Sequence, residues 1–187
     1  MGRKPGQGRE RMLTSTIALM REHGVAGASL DAVLAHSRTP RGSVYHYFPG
    51  GRNEMIIDAT RAAGDFIASV IEQTDHTDPR RAFGRFVDLW KQVLTDSDFR
   101  AGCPILAVAV DGGRDLPGAM DLTREIFTAW QDKISARLTA NGMPDERARR
   151  LATLAIAAIE GAVILCRVQR SADPLDDVAE ELSPLFT

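Results

Sequence analysis

The chain has 187 residues, 44% of them hydrophobic and 26% charged, which is the balance of a folded protein with its own core rather than a disordered or fibrous one. The length excludes a barrel enzyme with appended modules, and two cysteines, Cys103 and Cys166, exclude a disulfide scaffold and fit a reducing compartment. A formal net charge of −2, taken over the whole molecule, gives no sign of a nucleic-acid binder.

Helical periodicity runs through the sequence and strand alternation is almost absent. A first helix is predicted over 9–23, with Leu13, Ile17 and Met20 on one face and Gly24 as the stop just past its last turn. A short second helix starts at Ser29, an N-cap residue type, and runs through Leu30, Val33 and Leu34 to about 36. A third starts at Thr39-Pro40, with Thr as N-cap and Pro in the first helical position, and reaches about 47, where Pro49-Gly50-Gly51 breaks the chain. The helices then lengthen. Residues 53–73 and 79–95 are amphipathic, the latter through Phe83, Phe86, Val87, Trp90 and Leu94. Residues 104–110 suit a strand by composition alone, and a helix by their Ala content and their helical neighbours. A long helix over 117–141 carries Ile126, Phe127, Trp130, Ile134 and Leu138 on one stripe and ends at Gly142, and helices over 145–171 and 174–182 close the chain. The expected fold is all-α, with an N-terminal three-helix head containing a helix-turn-helix and a C-terminal bundle of about six helices. The expected domains are 1–52 and 53–187.

The basic N-terminus leads into a stretch broken by Thr14, Ser15 and Thr16, with no small-residue cleavage site after it. The nearly continuous apolar run 151–168 is rich in Ala and carries Glu160, as suits a buried helix better than a membrane span. A cytoplasmic protein without membrane contact is expected.

Charge is divided unevenly. Residues 1–54 hold 8 Lys+Arg and 4 Asp+Glu, and residues 55–187 hold 15 and 21, so the two parts carry +4 and −6. Such an asymmetry turns the basic end toward an anionic partner. Two short helices joined by a tight turn within 29–47 fit a helix-turn-helix, whose second helix enters the major groove of DNA. Arg41 can fork onto guanine or phosphate, Gly42 lets a backbone approach closely, and Ser43 can bond a phosphate or a base edge. Tyr45, His46 and Tyr47 place three hydrogen-bonding rings on successive positions, so only some of them can face inward. Val44 and Phe48, four apart, are the core pair, and Tyr45 and His46 are expected outward. Arg52 adds a cation near the start of the fourth helix.

The segment Gly42-Ser-Val-Tyr-His-Tyr-Phe48, with Ser29-x-x-x-Val33 before it and Gly-Gly-Arg-x-Glu after it, resembles the tetracycline-repressor (TetR) family of bacterial regulators. The wording from Pro40 to Gly51 is nearest to its branch that includes regulators of lincomycin-resistance operons, and Gly102-Cys103-Pro104 is similar to a motif in the body of that branch. The resemblance implies a homodimeric repressor that binds a palindromic operator on double-stranded DNA and leaves it when a small-molecule effector enters the C-terminal domain. It places Ser29, Arg41, Gly42, Ser43, Tyr45, His46, Tyr47 and Arg52 at the DNA. Tyr47 stands where a His is common, Arg52 where a Lys is usual, and Asp31 where relatives often carry a cation. Arg38 fills a turn position that is usually a left-handed Gly.

In the body, Phe66, Phe86, Trp90, Phe127 and Trp130 lie on helical stripes, where large rings are ordinarily core. An Ala-rich bundle with a few such rings also suits an apolar pocket, and with Cys103 and Glu160 these are the candidate ligand residues. Cys103 reads as a pocket residue, a redox sensor or a small buried hydrophobe. Glu160 reads as a pocket anchor, an interface partner or a residue exposed at a gap. His23, His36, His46 and His76 are scattered singly, so neither a metal nor a cofactor is expected. Because 151–168 is apolar nearly all round, a second copy is expected to cover one side, with dimerisation through 145–171 and 174–186.

Two readings from other classes compete. One is a small helical ligand-binding protein or enzyme whose basic head only docks it; no nucleophile with a base, paired carboxylates or phosphate-cradling loop supports the enzyme. The other is a regulator that binds protein instead of an operator, for which Arg41→Ala would leave partner binding unchanged.

Overall fold

The computed structural model describes residues 7–73, 78–111 and 116–186; His76 and residues 112–114 lie outside them. The described residues form nine α-helices and two short 3₁₀ turns, with no strand among them. The apolar segment that composition alone left open between strand and helix is the helix α6 (Pro104–Asp111). By packing, the chain divides into two compact units, Met1–Gly64 with Pro104–Arg124, and Asp65–Cys103 with Glu125–Thr187. The sequence division at residue 52 falls inside the first unit.

In the first unit, α1 (Gln7–Gly27) buries Met12, Ser15, Thr16 and Met20 at helical spacing and kinks at Gly24, whose φ of 72° is open to glycine at little steric cost. A Cβ at Gly24 would also meet the Asp111 carboxylate at 2.8 Å. Ser29 caps α2 (Leu30–Ser37) by accepting the Ala32 N–H at 3.2 Å. The third predicted helix is reshaped. Pro40 takes the extended cap position (φ −61°, ψ 142°) rather than the first helical one, a 3₁₀ turn covers Arg41–Ser43, and only Val44–Tyr47 is α-helical, as α3. Thr39 does not cap it; its hydroxyl bonds back to the Ser37 carbonyl. The α4 helix (Gly51–Gln73) starts with Glu54 accepting the Gly50 N–H at 2.6 Å, so a carboxylate meets one of the free donors that open a helix.

Two apolar clusters hold this unit. Met12, Val33, Val44, Phe48 and Met55 tie α1, α2, α3 and α4 together. Met20, Val25, Ala28, Ile56, Ala59, Val108, Leu116 and Ala119 form the other, which draws in α6 against α1.

Arg38 closes α2 in the left-handed region (φ 52°, ψ 41°), donating its N–H toward Ala35 and Leu34. A non-glycine residue there is held at a cost that glycine does not share. Arg38→Gly is therefore expected to stabilise the first unit by about 1 kcal/mol, read as a higher urea midpoint of the tyrosine signal; an unchanged or lower midpoint would count against a strained turn.

In the second unit, Asp78 caps α5 (Pro79–Asp96) through the Arg81 N–H at 2.9 Å, and Ala82, Phe83, Val87, Trp90 and Leu94 form its buried stripe. Against α5 pack α8 (Asp145–Gln169), α9 (Asp173–Leu182) and the 3₁₀ turn Ser183–Leu185. Phe186 stacks on Phe83 with ring centroids 4.5 Å apart. The C-terminal part of α7 (Ala119–Ala140) belongs to this unit and joins the end of α4 through the Lys133–Glu72 ion pair. Beyond α5, Asp98 and Phe99 are both left-handed, and the Asp98 carboxylate takes Arg170 Nη2 at 2.6 Å. That guanidinium holds the Asp98 carboxyl below its ordinary range.

Candidate nucleic-acid interface and ligand cavity

The first unit presents the residues expected at DNA on two short elements and their turn. A four-residue helix can bury only one stripe, and α3 buries Val44, with Phe48 just beyond it, while Tyr45 (66% exposed) and His46 face solvent. Tyr47 is half-buried: its ring lies against α1 at Gly8, packs on the Val44–Phe48 cluster and meets the His46 ring edge-on at 4.9 Å. Gly42 is exposed, and nothing lies within 4 Å of where a Cβ would stand. No fold contact therefore demands glycine there. Ser43 is half-buried, and Ser29 is exposed with its hydroxyl committed to the α2 cap.

Arg41 and Asp31 form an ion pair at 3.0 Å with both side chains largely exposed. Such a pair is worth about 0–1 kcal/mol in water, so Arg41 can exchange Asp31 for a stronger anion at little cost. Arg52, which the resemblance places at the DNA, reaches back to the backbone of the first unit in this structure. Its Nε donates to the Ala28 carbonyl at 3.0 Å and its Nη2 to the Val25 carbonyl at 2.6 Å, which clamps the connection between α1 and α2. Carbonyls at the end of a helix attract such a cation, a signal that needs the fold to reveal it.

The second unit carries an almost wholly apolar cavity with an open mouth. Phe86 and Trp90 of α5, Trp130 of α7 and Glu160 of α8 line it, so four of the expected ligand residues come together. The other three do not line it. Phe66 is 58% exposed; Phe127 stands beside Trp130, edge-to-face at 5.3 Å; Cys103 is buried and hydrogen-bonds the Glu160 carboxyl. The aliphatic walls, among them Ile67, Ile71, Ile134 and Ile156, were not singled out from sequence because aliphatic residues on helical stripes look alike whether they meet a core or a hollow.

Glu160 is the polar group of chemical interest. Burial pushes its carboxyl up to about 7, against the Cys103 hydrogen bond, which favours the charged form. Its Oε2 is sealed from solvent and has no hydrogen-bond partner among the described residues, and Trp90 Nε1 is in the same condition. Arg137 also lines the cavity and donates Nη2 to the Glu72 carbonyl at 3.2 Å. Cys103 sits where the chain passes closely under α8: a Cβ at Gly102 would lie 2.9 Å from Arg167 Nη1, so the Gly-Cys-Pro motif admits that side chain. Among the described residues, no group of three or more His, Cys, Asp and Glu is placed to hold a metal ion.

The α8 helix has two faces. Leu151, Ala155, Ile159, Val163 and Cys166 are buried, whereas Leu154, Ile164, Leu165 and Val168 are exposed, Val168 by 77%. By length and composition α8 is long and apolar enough to cross a bilayer, with a mean hydropathy of 2.0 over its most apolar window, and one of its faces packs into the second unit.

Known proteins share this organisation. The family model described as bacterial regulatory proteins, tetR family, matches residues 12–61, and that of the C-terminal domain of LmrA/YxaF-like transcriptional regulators matches residues 79–181. An HTH-type transcriptional regulator of Mycobacterium tuberculosis (strain CDC 1551 / Oshkosh) is 39% identical over 95% of this chain and 93% of its own length. The HTH-type transcriptional regulator YxaF of Bacillus subtilis (strain 168) is 26% identical over 96% and 95%. The crystal structure of the regulatory protein TetR from Rhodobacter sphaeroides superposes with a TM-score of 0.83 at 20% identity, covering 95% of this chain and 98% of its own, a likeness of fold.

Proposed function

Since this chain belongs to the TetR family of DNA-binding transcriptional regulators, with a body of the LmrA/YxaF-like kind, we propose that it is a cytoplasmic homodimeric repressor that grips a palindromic operator and releases it when a small apolar molecule enters the α5–α8 cavity. The observation that carries this reading is the coexistence of an exposed Arg41–Gly42–Tyr45–His46 surface in one unit with an apolar cavity that has the half-buried acid Glu160 on its wall in the other. The assignment is residues 1–52 to operator binding and 53–187 to sensing and dimerisation.

At the operator, Arg41 leaves Asp31 for a guanine edge or phosphate, Gly42 admits the backbone close to the groove, and Tyr45 and His46 hold phosphates with Ser43 beside them. Ser29 supports them by capping α2, Tyr47 by bracing α3 on α1, and Arg52 by fixing the α1–α2 connection. The exposed Leu154, Ile164, Leu165 and Val168 stripe of 145–171, with 174–186, supports a twofold interface, since apolar surface of that kind is usually covered. Two recognition helices then stand about one helical turn of DNA apart, roughly 34–36 Å. Ligand shifts the population toward a state with another separation, and linkage requires that operator weaken ligand binding by the same factor.

The test is fluorescence anisotropy on DNA from the gene's own promoter across a salt series. Binding is expected to fall roughly 10³-fold or more from 50 to 200 mM salt. Arg41→Ala should cost about 1–3 kcal/mol and relax preference at one base position, whereas Tyr45→Phe should weaken all sites alike. Gly42→Ala should leave unfolding unchanged yet weaken binding. A flat salt response at the promoter would overturn the operator reading.

A further inference from the structure

Two residues on the walls of the second unit's cavity each carry a buried polar atom with no hydrogen-bond partner among the described residues: the donor Trp90 Nε1 and the acceptor Glu160 Oε2. Among the described residues on its walls, the charged one besides Glu160 is Arg137, whose guanidinium is held by the Glu72 carbonyl and lies beside the Glu72 carboxylate. An unmatched buried acceptor is costly, and a charged one more so, unless something entering the site completes it.

The surroundings of Glu160 specify what that something is. Burial holds the Glu160 carboxyl toward its protonated form, and the Cys103 hydrogen bond opposes it, so a partner that brings positive charge to the site is what would tip the group to an ionised acceptor. A neutral hydroxyl would pair with Oε2 but leave a negative charge among aliphatic and aromatic walls. An ammonium supplies the hydrogen bond and the opposite charge together, and the cavity wall includes two indoles, Trp90 and Trp130, the ring type that attracts cations most strongly. An anionic ligand would meet the carboxylate with like charge.

We infer that the effector is a ring-bearing apolar molecule carrying a protonated amine, with the amine on Glu160 Oε2 and the ring body among Phe86, Trp90 and Trp130. Cys103 is then a positioning residue that holds the carboxylate toward the amine. Trp90 Nε1 adds a preference for a ring body that also contains an acceptor. This inference rests on the sensor reading above and names the ligand class of its cavity.

Calorimetric titration of the full chain with 1-naphthylmethylamine, 1-naphthylmethanol and 1-naphthoate separates the cases, since the three share a ring body and differ in charge. The amine is expected to bind roughly 10–100-fold tighter than the alcohol, with the carboxylate weakest. In Glu160→Gln the amine should lose about that factor while the alcohol stays within about threefold, with the thermal midpoint checking that the variant is folded. Alcohol binding as tight as amine binding in the wild-type chain overturns the amine inference and leaves the sensor reading standing. No binding of any of the three, with operator affinity intact, overturns both. The wild-type comparison decides the matter even if the variant does not fold.

Discussion

Phe48→Ala is expected to destabilise the first unit by about 3–5 kcal/mol and to abolish operator binding, while the second unit keeps its own melting behaviour. Phe48 is fully buried among Met12, Val33, Val44 and Met55, with the Arg9 guanidinium 5.2 Å above its ring. Its backbone also joins two elements: its N–H donates to Val44 at 2.7 Å and its carbonyl accepts from Gly51 at 2.8 Å. Truncation thus leaves a cavity at the point where α3 is fixed to α4, and α3 has one helical turn with which to resist. The loss is a large fraction of the stability that a small domain has. The chain supplies its own reporters. Both tyrosines, Tyr45 and Tyr47, lie in the first unit, and both tryptophans, Trp90 and Trp130, in the second. In a urea titration the tyrosine transition should move to lower denaturant in Phe48→Ala while the tryptophan transition stays near its wild-type midpoint. Equal shifts of both signals would show that the units melt as one, and a loss below about 1 kcal/mol would show that Phe48 is not the keystone of the head.

The residues that name the family are those whose neighbours in space are also neighbours in sequence. Ser29 caps α2 within three residues, Val44 and Phe48 bury themselves by their own four-residue spacing, and Tyr45 and His46 follow outward from that choice. Arg38 at a glycine position likewise signalled a left-handed turn, which the backbone adopts at φ 52°. Legibility ended where partners come from far along the chain. Arg52 lies 24 and 27 residues from the carbonyls it clamps, and no local pattern marks those carbonyls as its partners. Thr39-Pro40 looked like a helix start because Pro suits a first turn, yet Pro40 is extended and the helix begins later through a 3₁₀ turn.

The ligand residues show the same limit. Large rings at helical spacing were all candidates, and only the packing of the second unit separates Phe86, Trp90 and Trp130 on the cavity wall from Phe66 in solvent and Phe127 behind it. Glu160 had three readings because its meaning depends on what stands opposite. The hydrogen bond with Cys103, 57 residues earlier, and the apolar walls around it distinguish it from the other carboxylates of the chain.

Without ligand, Glu160 is expected to make the second unit less stable as pH rises from about 4.5 to about 7. Its carboxyl is raised to about 7 in the folded chain from an ordinary value of 4.5, so within that window the folded state holds a proton that the unfolded state has lost. Stability therefore falls as pH rises and levels off above the folded value, in total by something on the order of 3 kcal/mol. The opposite sign applies to Glu72 and Asp98, whose carboxyls are lowered by Lys133 and Arg170. Their contribution is present above the ordinary carboxylate range and is lost as pH falls through and below it, so it does not mask the Glu160 window. Cys103 bonds the Glu160 carboxyl and favours ionisation, and Arg137, on the wall of the same cavity, is engaged with Glu72. The measurement is urea unfolding by tryptophan fluorescence at pH 5.5 and pH 8, wild type against Glu160→Gln. The wild type should lose about 2 kcal/mol more than the variant between the two conditions, because Gln keeps the shape and cannot ionise. Parallel pH curves for the two proteins would mean that the carboxyl is hydrated and titrates normally. Saturating 1-naphthylmethylamine should flatten the wild-type curve toward that of the variant, since an ammonium on Oε2 returns the carboxyl to its ionised form and removes the proton difference that drives the linkage.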